Sequence, residues 1–296
     1  MRIRIVSLIL LLPVYLSAQG TSTGEASLKF LYPARVLGMA GAVVADPQNA
    51  TSSFLNPACL SSGTTPEVMF SAMQWIQDIH TQIISTSLPL PIGTIGLAIA
   101  STSIDGISIR DVPGPEIGSF NAHSTVFQIT YGASLSPDLK LGGAFKYLYD
   151  KIYVDDASGY AIDIGGLYNT PFDGFSLGAS LNNAGQLGAF RQQRTEIPST
   201  VKAGANYTLS SEDFGILGAF AISRETIAKI NSVHLGFEAN YTKMLSARLG
   251  YQTGNDLRGL SAGLGIHYSI LQLDYAYVPF GQGFGDAHII SIGVKL

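Results

Sequence analysis

The chain has 296 residues, a formal net charge of −4, 13% charged and 46% hydrophobic residues, and a mean hydropathy of +0.26. Charge is about half the ~25% usual for soluble domains, which argues against an ordinary water-covered surface. No basic run exists, which excludes nucleic acid as a partner.

In chain order, Arg2 and Arg4 precede an apolar run from Ile5 to Ala18, interrupted by Pro13 and closed by Ser17 and Ala18. The run is shorter than the ~20 residues of a spanning helix. A basic start, an apolar middle and a small-residue end describe a secretory signal peptide. Residues 1–18 are therefore assigned to it, with cleavage after Ala18 leaving Gln19 first. An exported, apolar chain with no further spanning run has one way to satisfy its backbone in lipid, a closed barrel. The 33 Gly and 14 Tyr fit that class, since Tyr favours the membrane–water boundary. Cys59 is the single cysteine, so no internal disulfide forms, and it reads as a small buried apolar residue. With no Cys at the cleavage point, a lipoprotein anchor is excluded.

Residues 19–66 do not alternate. Gly38, Gly41, Asn49 and the pair Ser52–Ser53 break regular patterns, and Asn56-Pro57 imposes an extended or turn conformation. This stretch is predicted to begin in the periplasm and fold into the barrel as a plug, with Arg35, Gly38, Gly41, Asn56 and Pro57 as its anchor candidates. A buried Arg35 requires a lumen carboxylate or helix-end carbonyls as partners. Asn56 and Pro57 are expected to set the turn into the first strand.

Residues 67–296 alternate with period two. Val233, Leu235, Phe237 and Tyr241 oppose His234, Glu238 and Asn240; Leu245, Leu249 and Tyr251 oppose Ser246, Arg248 and Gln252. Leu139, Leu141, Phe145, Tyr147 and Tyr149 oppose Lys140 and Lys146. Such runs match no helix and match barrel strands, with apolar residues to lipid and polar or small ones inward. Strands are predicted near 67–74, 79–88, 92–104, 122–136, 138–149, 159–169, 174–183, 198–209, 213–223, 232–243, 245–253, 259–269, 271–279 and 286–296. These make about 14, an even number as single-chain barrels require. Short turns alternate with longer links at 105–121, 150–158, 184–197, 224–231, 254–258 and 280–285, the habit of periplasmic turns and outer loops. Trp75, at the first outer loop, is expected to anchor at the membrane interface. The last strand ends on Leu296, an apolar terminus like the signal read by barrel-assembly machinery. A secreted β-sandwich would also alternate, but would need more charge on its outer faces.

A set of motifs carries a family resemblance. Ala34-Arg35-Val36-Leu37-Gly38-Met39-Ala40-Gly41-Ala42, then Asp46, then Asn56-Pro57-Ala58-Cys59-Leu60, resembles the N-terminal signature of the PorV/PorQ family, within the FadL-like superfamily. Trp75 with Asp78, Gly118-Ser119-Phe120-Asn121-Ala122, Lys146 with Tyr149, Gly159-Tyr160-Ala161-Ile162-Asp163-Ile164-Gly165, Asn182-Asn183-Ala184-Gly185 and Ile197-Pro198 continue it in order. The resemblance implies a 14-stranded outer-membrane barrel with an N-terminal plug. It implies one of two roles: an accessory of type IX-like protein secretion, working through secretion-machinery proteins, or a FadL-like channel for hydrophobic small molecules such as fatty acids.

No nucleophilic or metal-binding motif is present, and Gly263-Leu264-Gly265 sits in a strand rather than a dinucleotide turn. The chain is read as a non-enzyme without cofactor, in contact with outer-membrane lipid. Lys146, Asp163, His234, Glu238, Arg248, His267 and Asp274, with Lys140 and Lys202, fall on the inward phase. At the midplane of the lipid face an Arg or Lys would cost ~2–4 kcal/mol. Inside, these groups are expected to pair with one another, with water or with the plug, or to line a polar path.

Overall fold

A computed structural model describes residues 24–46, 53–190, 193–254 and 257–296. The expected signal peptide, and Asn49 and Ser52 of the N-terminal stretch, lie outside the described residues. The strands are β1 (Glu67–Gln74), β2 (Ile79–Leu90), β3 (Gly93–Ile109), β4 (Gly118–Ser134), β5 (Leu139–Ile152), β6 (Asp155–Asn169), β7 (Phe175–Phe190), β8 (Gln193–Thr195), β9 (Thr200–Ser210), β10 (Phe214–Glu225), β11 (Asn231–Tyr241), β12 (Leu245–Gln252), β13 (Leu260–Tyr268), β14 (Leu271–Pro279) and β15 (Asp286–Lys295). Each pairs antiparallel with its neighbours, β1 pairs β15, and β6 pairs β7, so the sheet closes on itself. The three-residue β8 pairs with the end of β7 alone, which leaves a closed 14-stranded barrel. Closure leaves the 14-stranded wall without an edge strand, the condition for sitting in lipid.

The alternation predicted from sequence is the alternation of exposure. On β5, Leu141, Phe145 and Tyr147 are exposed while Ala144, Lys146 and Leu148 are buried. On β11 and β12, Leu235, Phe237 and Leu249 face out while His234, Glu238 and Arg248 face in. The exposed row runs on through Ile290 and Ile292 of β15. In a single closed sheet this outward apolar surface meets lipid rather than a second sheet. The sandwich alternative is therefore excluded.

Strand length corrects the expected links. The stretch 150–158, expected as a longer link, is mostly strand: β5 and β6 run through it to a turn at Tyr153-Val154. Likewise β3 reaches Ile109, β4 starts at Gly118, and β7 continues to Phe190. Gly, Ser and Asp in these stretches look like loop residues, but the ladder of backbone bonds holds them extended. The barrel is consequently uneven: β3 and β4 have 17 residues each, whereas β12 has 8 and β13 and β14 have 9. At ~3.3 Å per residue, the β3–β7 side stands well above the rest at the rim away from the C terminus, here called the far rim.

Candidate functional site

The interior has two chemically distinct halves, and the N-terminal segment touches both. Helix α1 (Ala34–Gly38) and the coil to Asp46 are almost wholly buried. Arg35 reaches β11, where its Nε and Nη2 donate to the two carboxylate oxygens of Glu238 (2.9 and 3.1 Å), and Nη2 also donates to Asp46 (2.7 Å). Burial alone would lower the Arg35 pKa. Asp46 and Glu238 outweigh it and raise the value, so the guanidinium stays charged. Glu238 faces Arg248 directly across the β11–β12 ladder and accepts from its Nε at 2.5 Å. Arg248 then reaches over β13 to Asp274 on β14 (2.6 Å), which also accepts from Gln272.

Two glycines make that reach possible. A Cβ at Gly265 would stand 2.5 Å from Asp274 Oδ1 and 2.8 Å from Arg248 Nη1. At Gly263 the strand comes close to Gly38 of α1, where a Cβ on Gly38 would lie 3.2 Å from the Gly263 Cα. Ser261 also donates to the Gly38 carbonyl (3.2 Å). The glycine pair noted in the sequence thus serves close packing.

A second polar group lies higher on β9 and β11. Lys202 Nζ donates to the Gly41 carbonyl (3.1 Å) and sits 5.9 Å from the Tyr32 ring centre. Gly41 adopts φ +71, a conformation that glycine takes without a steric cost. His234 Nδ1 contacts the Ala40 carbonyl (2.7 Å), so Nδ1 carries the proton and Nε2 accepts from Ser223 (2.8 Å). On the adjoining strands β5 to β7, Lys146 pairs with Asp163 (2.6 Å) and donates to Asn183 (2.7 Å). Asp163 lies at a register shift between β6 and β7, and accepts from the backbone of Asn183, whose φ is +58. His267, half-buried near the turn end of β13, faces Gln272 across the β13–β14 ladder, at the margin of the Arg248–Asp274 network.

Asn56 and Pro57 differ from expectation. They open a short 3-10 helix, Pro57–Ser62, rather than a simple turn: Asn56 accepts from the Ala58 N–H (3.1 Å), with Pro57 in the first helical position. Asn56 also donates to the Val44 and Gly166 carbonyls (2.8 and 3.1 Å), tying the two N-terminal stretches to β6. Cys59 is buried, and burial pushes its thiol well above the ordinary range.

Toward the far rim the inward positions turn apolar. Ile83, Val126, Leu148, Leu187 and Ile289, from five strands, are 0–1% exposed and cluster with Leu28, Leu31 and Phe54 of the N-terminal segment. Trp75 belongs here, not at the membrane interface. It is 7% exposed, stacks on Phe30 (centroids 4.8 Å, planes 14° apart) and meets Phe280 edge-on at 5.4 Å. The signal was present in the sequence, because Met69, Ser71 and Met73 of β1 form the buried phase that leads to Trp75. Arg258 covers the same ring at 5.6 Å.

The wall beside this cluster is interrupted. The β7–β9 ladder ends at Asn182↔Thr200 and the β7–β8 ladder begins at Leu187↔Thr195. Residues 183–186 therefore have no strand partner on that side, where Ile197 and Pro198 lie buried. Side-chain bonds from Asn183 to the Pro198 carbonyl (3.4 Å) and from Ser199 to the Asn182 carbonyl (3.4 Å) bridge the break.

No family model and no curated protein matches the sequence. Solved structures share the fold. The toluene transporter TbuX of Ralstonia pickettii superposes with a TM-score of 0.63 at 11% identity, covering 90% of this chain and 98% of that one. The toluene transporter TodX of Pseudomonas putida gives 0.62 at 12%, covering 89% and 97%. The monoaromatic hydrocarbon channel CymD gives 0.61 at 12%, covering 89% and 96%. The chain therefore has the fold of FadL-type outer-membrane barrels.

Proposed function

We propose that the chain is an outer-membrane channel for hydrophobic small molecules, exported by the signal peptide and plugged by residues 19–66, and that it is not an enzyme. The observation that carries this reading is the apolar cluster of inward-facing residues around Trp75, Ile83 and Leu148. Water-filled porins line their interiors with polar groups. Here the far-rim half of the interior would repel water and accept an apolar solute. The far rim is the outer side in this reading, so a solute would meet the apolar cluster before the ionic group at Arg35. The break in the β7–β9 wall offers it a way out toward the membrane. The transported molecules named for TbuX, TodX and CymD are of the same apolar class.

The test is uptake in a host strain lacking its own hydrophobe channel. With the barrel present in the outer membrane, a radiolabelled monoaromatic hydrocarbon or long-chain fatty acid is expected to enter several-fold faster than in the empty-vector strain. Uptake at the empty-vector rate would overturn the proposal. A PorV/PorQ-like role in type IX secretion retains one supporting feature, the exposed Val112, Ile117 and Val154 on the tall β3–β6 side, an apolar surface that could meet a protein. Deletion of the gene in its native host would then strand secreted proteins in the periplasm while leaving hydrocarbon uptake unchanged.

A further inference from the structure

Beside its apolar contacts, the start of the described N-terminal segment meets the tall wall through side-chain oxygens. Ser124 and Asp150 stand opposite each other in the β4–β5 ladder, and both face inward. Glu25 reaches them from the N-terminal segment: its Oε1 accepts from Ser124 Oγ (2.6 Å) and from Ser27 Oγ. Asp150, directly across the ladder from Ser124, is thereby brought beside the Glu25 carboxylate. Two carboxyl groups this close repel one another unless a cation or a proton lies between them.

A separate observation points to a ligand. Asp150 is 6% exposed, and its Oδ1 is enclosed without a hydrogen-bond partner among the described residues. A buried carboxylate oxygen left bare costs on the order of 1–3 kcal/mol or more. Its polar neighbours, Ser124 on the ladder and Glu25 on the N-terminal segment, both present oxygen.

We propose that Glu25, Asp150, Ser124 and Ser27 form a divalent-cation site, of calcium type, that clips the N-terminal segment to β4 and β5. Calcium takes six to eight oxygen ligands in flexible geometry. Two carboxylates and two hydroxyls supply most of that shell, and backbone carbonyls or water complete it. The lack of nitrogen or sulfur donors disfavours zinc and copper. Two carboxylates neutralise the charge of one such ion. The site lies two residues before the end of β5, near the far rim. It stands whether or not the interior carries hydrophobic solutes.

The test uses the full barrel in detergent after EDTA treatment. Isothermal titration with calcium chloride is expected to show one ion per barrel, with a Kd on the order of 10⁻⁴–10⁻³ M, the range of sites with few charged ligands. Glu25→Gln and Asp150→Asn are each expected to weaken binding about tenfold or more. In the wild type, which needs no variant to fold, calcium is expected to slow proteolysis of the N-terminal segment several-fold. No calcium heat in the wild type overturns the proposal, and the two carboxyls then share a proton. Calcium heat that persists undiminished in both variants also overturns it, because the ion then binds elsewhere.

Discussion

The two halves of the interior hold the same N-terminal segment by opposite means. Near β11–β14, Arg35 is fixed by directed ion pairs to Glu238 and Asp46, with Arg248 and Asp274 extending the network. Toward the far rim, Leu28, Phe30 and Leu31 meet Trp75, Ile83 and Leu148 through non-directional contact. Directed bonds fix a single position, and losing one partner strands the others. Apolar contacts tolerate exchange, because another apolar body of similar volume can take their place. The contrast teaches that one half fixes the segment in one position, while the other holds it by contacts that another apolar body can replace.

Breaking the ionic half should have the largest effect. Glu238→Gln leaves Arg35 and Arg248 short of a counter-charge, and removing one partner of a buried pair costs about 3–5 kcal/mol. Urea unfolding of the barrel refolded in lipid vesicles should show that loss, and the N-terminal segment should become protease-sensitive. Unchanged unfolding would mean that the network does not anchor the segment.

The apolar half should respond differently. Leu148→Ala should cost about 2–5 kcal/mol, and an added small hydrocarbon should recover part of it, since a dry apolar cavity binds such molecules. The same hydrocarbon should leave Glu238→Gln uncorrected. Equal recovery in both variants would erase the distinction between the halves.

Asn56→Ala should cost about 1–2 kcal/mol through loss of the cap, with further loss from its bonds to Val44 and Gly166. The readout is again the urea midpoint.

The smallest effect is a pH dependence at the border between the halves. Burial, then the charge of Asp163, pushes the Tyr32 hydroxyl from 10.0 up to about 12. A raised folded-state value means that the folded protein holds the proton more tightly. The stabilisation is therefore complete below pH 10 and is lost as pH rises from 10 to about 12. Tyr32→Phe should flatten the fall of the unfolding midpoint over that window. A fall of equal size in the variant would assign it to other groups.

Much of this was legible in the sequence. The inward phase that placed Glu238, Arg248 and Asp274 follows from period-two alternation, which a one-residue slip would invert. The need of Arg35 for a carboxylate follows from the cost of a buried charge. Which carboxylate it meets depends on residues 203 positions apart, and local pattern carries no such information. The register shifts at Ile104/Ile107 and Ile162/Ile164 were also hidden, because each changes the inward parity through pairing with another strand. Trp75 shows a different failure: belt statistics for aromatics outweighed the phase of its own strand.

Trp75 is the single tryptophan of the chain, and it stands in the apolar cluster. Its emission therefore reports on that cluster directly. Titrating the purified barrel with a monoaromatic hydrocarbon or a long-chain fatty acid should change Trp75 fluorescence saturably, whereas a hydrophilic sugar should leave it unchanged. Emission that stays constant through the whole hydrocarbon and fatty-acid range would contradict a cluster that accepts apolar solutes.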